Sequence, residues 1–198
     1  MTIPRIHGLP ALILAAAAAA LVGCQTMNNT SADAFAQQDI DAAVAVMHGT
    51  QGNAGVSGTV RFHALADDRG VRMVAEVSGL EPNGIHGIHV HAYGDCTAAD
   101  ATSAGGHYAP DGHRHALPRE TDVRHAGDFG NLQADADGNA RYELTVHNAT
   151  IAGSMNPILG RAVIIHAGRD KGMAEQPTGA AGPRIACGVI GIANPQRR

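Results

Sequence analysis

The residues with the most chemistry to offer are histidines: twelve in 198 positions, seven of them between residues 86 and 125. The stretch "GIHGIHVHAYGDC", residues 84–96, sets His86, His89 and His91 beside Cys96. In a strand, side chains at i and i+2 share a face, so His89 and His91 form a pair of imidazole donors on one rigid element. The same alternation turns His86 to the opposite face. Downstream, "GGHYAPDGHRH" offers His107, His113 and His115, "HAGD" offers His125 and Asp128 in one short turn, and His166 closes "RAVIIH". Imidazole suits copper and zinc, and a carboxylate added to histidines favours a harder, zinc-like site. For His48, His63 and His147 an ordinary strand or surface role is sufficient.

Something must hold these donors together. From residue 42 the chain runs in short Val-, Ile- and Thr-rich segments separated by Gly, Asp, Asn and Pro. Strands are expected at 42–48, 55–64, 71–78, 85–91, 140–147, 161–167 and 184–190, with turns such as "DDRG" (67–70) and "DADG" (135–138) between them. No segment sustains a helical period, and the pattern indicates an all-β antiparallel sandwich or barrel. Residues 92–128 and 168–183 break the rhythm as two long loops, a length usually reserved for function. With 3% aromatic residues and no Trp, the domain lacks large core anchors, and metal and disulfide are the available staples.

The first 23 residues have a basic start at Arg5 and an apolar Ala/Leu run, the layout of a secretory signal peptide. The ending "LVGC" resembles the lipobox of bacterial lipoproteins, which would make Cys24 a lipid-bearing residue and anchor the chain to a membrane. Cys96 and Cys187 then remain to form a disulfide in an oxidising compartment. Residues 24–41 read as a polar tether, 42–193 as the domain and 194–198 as a tail. The net charge of −4 becomes −5 once Arg5 leaves with the signal, which speaks against nucleic acid as a partner.

"GIHGIHVHAYGD", "SAGGHYAP", "RHAGDFGN", "GRAVIIHAG" and "GPRIACGVIGIA" together resemble the motif series of the copper/zinc superoxide dismutases, in that family's order, across about residues 42–193. The resemblance implies an eight-stranded Greek-key antiparallel β-barrel or sandwich with two long functional loops. It implies one copper on His89, His91, His107 and His166, and one zinc on His107, His115, His125 and Asp128. His107 would be shared as an imidazolate. His115 is preferred to His113 because it precedes the "ALP" turn, as the family's zinc histidine does. Asp170, four residues after His166, would hydrogen-bond His89 and His115 and fix their orientation. His86 matches a family histidine that is not a ligand.

The implied reaction is superoxide dismutation: one superoxide leaves as dioxygen while copper is reduced, and a second leaves as hydrogen peroxide while it is reoxidised. His107 would carry the proton between the two halves. Arg184 would draw the anion in, with Arg169, Lys171 and Thr178 along the opposite wall, and the Cys96–Cys187 bond would help hold Arg184 in place. Cys96 follows Asp95 directly, earlier than in better-known eukaryotic members, so the local path of that loop is open. A tethered metal buffer would share these ligands but would not require Arg184 and Asp170, and a zinc hydrolase using three histidines and an activated water would keep full activity with zinc alone. The sequence implies export to a bacterial periplasm with an anchor in the outer membrane, compatible with Gln25 after Cys24. It leaves open whether the chain is a homodimer.

Overall fold

The computed structural model describes residues 40–66 and 69–194. The signal segment, Cys24, most of the tether, Asp67 and Asp68 of the "DDRG" turn, and the tail beyond Asn194 lie outside the described residues. Eight strands form one antiparallel sheet: β1 (Ala42–Gly49), β2 (Ser57–Ala64), β3 (Val71–Ser78), β4 (Ile85–His91), β5 (Asp128–Gln133), β6 (Ala140–Val146), β7 (Ala162–His166) and β8 (Arg184–Ile192). Among the described residues there is no α-helix, and single 3₁₀ turns occur at Thr102–Ala104 and Gly172–Ala174.

The strand order is β5-β4-β7-β8-β1-β2-β3-β6. β3 pairs with β6 and β4 with β7, so the chain crosses the barrel twice, which is the Greek-key connection. β5 and β6 stand at the two ends of that order. The Tyr142 hydroxyl on β6 donates to the Phe129 carbonyl on β5 at 3.0 Å and draws this seam nearly shut.

Strict alternation makes the interior. In β3, Val71, Met73, Ala75 and Val77 are buried while Arg72, Glu76 and Ser78 face out. Phe62 and Phe129 meet in the core with ring centroids 6.1 Å apart, and Val, Ile, Ala and Met fill the rest. β4 departs from the pattern, because all residues from His86 to His91 are buried. Ile88 and Val90 join the core, so His89 and His91 point outward and are covered by loops rather than by the barrel. Functional side chains therefore gather on the outer face of β4 and β7.

Seven strands match the sequence expectation to within a few residues at their ends, and β5 does not. Its sequence "DFGNLQ" places Gly130 (φ 92°) and Asn131 mid-strand, both poor strand formers. Burial of Phe129 and Leu132 overrides that local preference.

The disulfide Cys96–Cys187 is present, with Cα atoms 5.9 Å apart across 91 residues of sequence. Around it Ala101, Ala104, Ala162, Ile164 and Cys187 form a second, small apolar cluster, which docks the first long loop onto β7 and β8. In the chain-entropy picture a closed loop of that length stabilises the fold by about 4–5 kcal/mol. Cys187→Ser should therefore lower the thermal midpoint by roughly 10–20 °C in calorimetry without reductant; a midpoint within a degree of the unaltered chain would show that the loop is held by its other contacts.

Candidate metal centre

Strands supply the fixed half of the site. β4 presents His89 and His91, β7 ends in His166 and β5 begins with Asp128. The pairing register is irregular between Gly87 and His89 on β4, and again between Ile165 and His166 on β7. Such irregularities re-aim side chains beside functional sites. His107, His115 and His125 come from the first long loop, where His107 makes an isolated bridge to His91.

The structure brings these residues together in three overlapping sets. His89, His91, His107 and His166 form one; His107, His115, His125 and Asp128 a second; His89, His115 and Asp170 a third. In each set the donor atoms lie within 4.8 Å of one another. His107 belongs to two sets through its two nitrogens. His113 is exposed and stands apart, whereas His115 is fully buried. His86 faces the core and donates from Nδ1 to the His166 carbonyl at 2.9 Å, bracing the end of β7.

Hydrogen bonds decide which nitrogen of each ring is free. His91 donates from Nδ1 to the Gly105 carbonyl at 2.8 Å, and His166 from Nδ1 to the Gly182 carbonyl at 2.9 Å. His89 donates from Nε2 to Asp170 Oδ2 at 2.9 Å. The opposite atoms, His89 Nδ1, His91 Nε2, His166 Nε2 and His107 Nε2, are buried and have no hydrogen-bond partner. Four lone pairs directed at a common point, with no proton donor among them, are the donor set of a nitrogen-bound transition metal.

The second set is built on Asp128, which is fully buried. Its Oδ1 accepts from His107 Nδ1 at 2.9 Å and His125 Nδ1 at 3.2 Å. His115 Nδ1 sits 2.9 Å from the same oxygen without hydrogen-bond geometry. Oδ2 is occupied by the Ala116 amide at 3.0 Å, so one carboxylate oxygen and three ring nitrogens face one point. Three histidines and one carboxylate make a closed zinc-type set. The residues therefore fit both metals.

Proton affinities follow from these surroundings. Burial pushes His89 down to about 3, aided by neighbouring His107. Burial, helped by neighbouring His107 and the Arg184 charge, takes His91 down to about 2 and His166 to about 4. These rings stay neutral, with lone pairs available, across the physiological range. Burial also lowers His115, but the Asp128 and Asp170 carboxylates outweigh it and raise the ring to about 9. Burial raises Asp128 and Asp170, and the histidines around them more than reverse it, holding both carboxyls well below their usual range.

Asp170 joins the two sets. Oδ2 holds His89 and Oδ1 holds His115 Nε2 at 2.8 Å. Arg184 is half-buried and donates to the carbonyls of Ala101 and Gly105, both at 2.6 Å. The Gly105 carbonyl thus serves Arg184 and His91 alike. Lys171 lies 3.8 Å from Glu175 in an exposed pair, and Arg169 and Thr178 are exposed on the same loop.

Sequence reasoning passed over the backbone supports. Asn131 clamps Asp170 by accepting from its amide at 2.8 Å and donating to its carbonyl at 3.0 Å. Arg124 is buried beneath Asp128 and donates from Nε to its carbonyl at 3.2 Å. Gly179, at φ 68°, lies so close to the Asp170 carboxylate and His115 Nε2 that an added Cβ would collide with both. No isolated Asn, Arg or Gly in a sequence announces such a role. Gly179→Ala should destabilise the domain by at least about 1–2 kcal/mol from its left-handed backbone alone. It should also expose the His115 Nε2 proton to exchange, read from the imidazole N–H resonances; a protected resonance would mean that the loop absorbs the methyl group.

Comparisons with known proteins agree with this geometry. Residues 56–190 match the family model for copper/zinc superoxide dismutase (SODC). The Neurospora crassa protein named superoxide dismutase [Cu-Zn] is 43% identical over 155 residues, covering 76% of this chain and 97% of the relative. Its namesake from Kluyveromyces lactis is 42% identical over 157 residues, covering 77% and 97%. The solved structure of the clock protein EA4 superposes with a TM-score of 0.69 at 34% identity, over 77% of this chain and 95% of that one. The chain belongs to the copper/zinc superoxide dismutase family, oxidoreductases that convert superoxide to dioxygen and hydrogen peroxide with a copper alternately reduced and reoxidised beside a structural zinc.

Proposed function

We propose that in this chain His89, His91, His107 and His166 hold the copper, that His107, His115, His125 and Asp128 hold the zinc, and that His107 is shared between them. The reading is carried by one observation. Four buried ring nitrogens without partners converge, and the other nitrogen of one of those rings faces the Asp128 carboxylate at 2.9 Å. When bound, copper supplies the one-electron exchange with superoxide, and zinc supplies a fixed, redox-silent charge.

The remaining work falls to side chains. Arg184 spends one N–H of each terminal nitrogen on a backbone carbonyl, which fixes the guanidinium plane and leaves further N–H groups for a small anion. It attracts superoxide against the overall negative charge of the chain and orients it beside His91. His107 Nε2 is the atom that takes up a proton in the first half-reaction and gives it to the departing peroxide in the second. The second proton comes from solvent, so two superoxides and two protons yield one dioxygen and one hydrogen peroxide. Asp170 holds His89 and His115 in the tautomers that this arrangement needs.

The wider assignment is a domain over 42–193 behind a signal segment, exported to the periplasm and tethered through lipid on Cys24, with the outer membrane as its home. The "LVGC" motif supports it, and the disulfide is of the kind that forms readily in an oxidising compartment. A homodimer is supported by Val46, Val189 and Ile192, exposed at 51%, 43% and 66% on the neighbouring strands β1 and β8.

Arg184→Gln should lower kcat/KM for superoxide roughly tenfold or more at low ionic strength, with a smaller deficit in high salt and unchanged copper and zinc content. Unaltered turnover would remove the steering role. Selective copper removal should abolish dismutation, and copper but not zinc should restore it; activity with zinc alone would overturn the assignment. Cys24→Ser should move the protein from the membrane fraction to the soluble periplasmic fraction, and continued membrane partition would refute the anchor.

A further inference from the structure

We propose that Gln176 is a positioning residue for His115, a splint joining the loop of residues 168–183 to the loop that carries the zinc donors; the inference rests on the reading of His115 as a zinc ligand. His115 sits in a stretch without strand structure, yet its imidazole must satisfy two demands at once. Nε2 reaches Asp170 Oδ1 at 2.8 Å, while Nδ1 faces Asp128 Oδ1 at 2.9 Å. A planar ring meets both only if its own backbone is fixed in place and orientation.

The Gln176 amide fixes it. Oε1 accepts from the His115 amide at 3.2 Å, and Nε2 donates to the His115 carbonyl at 2.7 Å, across 61 residues of sequence. One primary amide thereby serves both backbone groups of a fully buried residue, as a neighbouring strand would. The same device appears at the other end of the His115–Asp170 bond, where Asn131 serves both backbone groups of Asp170. A second stitch lies alongside: Glu120 Oε2 accepts from the Leu117 amide at 2.7 Å and from the Met173 amide at 3.0 Å. The two loops are thus held together at His115 and just beyond it, and neither tie touches a metal donor atom.

Gln176 is itself exposed, so water can replace its bonds when it is removed and the barrel will still fold. The cost falls on the geometry of His115. The test compares zinc release from the fully metallated, full-length enzyme into excess chelator. Gln176→Ala should release zinc roughly tenfold faster, the low end of what loss of an outer partner does to a metal site. Copper release should stay as in the unaltered chain. The visible spectrum of cobalt placed in the zinc site should shift, a signature that mere loosening of a remote loop would not produce.

Gln176→Glu keeps the acceptor for the His115 amide but sets a carboxylate against the His115 carbonyl, so it should release zinc as fast as the alanine variant. Unaltered release in Gln176→Ala, or release from Gln176→Glu matching the unaltered chain, would overturn the splint. His115→Ala separates this failure from failure of the underlying reading: zinc retained in full by that variant would overturn the ligand assignment itself, and the splint with it.

Discussion

A single fully buried carboxylate, Asp170, decides the state of both donor sets. Burying a carboxylate is expensive unless it is well supplied with donors. Asp170 accepts from His89 Nε2, from His115 Nε2 and from the Gly172 amide at 2.7 Å. A neutral imidazole has one N–H to give. His89, held neutral by burial, gives it to Asp170 and so commits its lone pair to Nδ1, whereas His115, held protonated by Asp128 and Asp170, turns Nε2 to Asp170 and Nδ1 to Asp128, where a zinc ion would take the place of the second proton. A donor on a strand and a donor in a loop are set by the same pair of oxygens, so the two donor sets are not independent.

That coupling explains why the centre lies outside the barrel. The interior of a small β-barrel is filled by side chains, here Met73, Ile88, Val90, Leu132 and Ile165 among others, and is overwhelmingly apolar. The outer face of β4 and β7 offers rigid histidines, but it must be covered before they can be held dry. The two long loops are that cover. With little apolar content they cannot be ordered by packing alone. The ordering comes instead from the disulfide, from Asp128 and Asp170, and from the amide clamps of Asn131 and Gln176.

How much of this was legible in the sequence follows from which physics each feature depends on. Strand alternation separated His89 and His91 from His86 because period-2 geometry is local, and the structure indeed turns His86 into the core and the other two outward. The seven strands rich in β-branched residues were equally plain. β5 was not, because Gly130 and Asn131 argue against a strand and only the tertiary burial of Phe129 and Leu132 makes one. The supports of the site were the least visible. The value of Asn131 and Gln176 lies in contacts made across 39 and 61 residues of sequence, and that of Gly179 in its close approach to Asp170 and His115, none of which their sequence neighbours reveal.

The route of the anion and the copper position are tied by one backbone atom. The Gly105 carbonyl accepts from His91 Nδ1 and from Arg184, so the ring proposed to hold the metal and the cation proposed to attract the substrate take their positions from the same peptide. Only glycine fits there. Its φ is 75° with ψ −157°, and an added Cβ would press into the ring of Tyr93. The Cys96–Cys187 bond anchors the start of this loop to the strand that carries Arg184, and the Ala101 carbonyl holds the guanidinium from the same loop. A displacement of the loop would therefore deprive His91 and Arg184 of support together. In a chain of net negative charge, that shared support keeps the Arg184 cation beside the His91 ring, whose proton affinity it lowers.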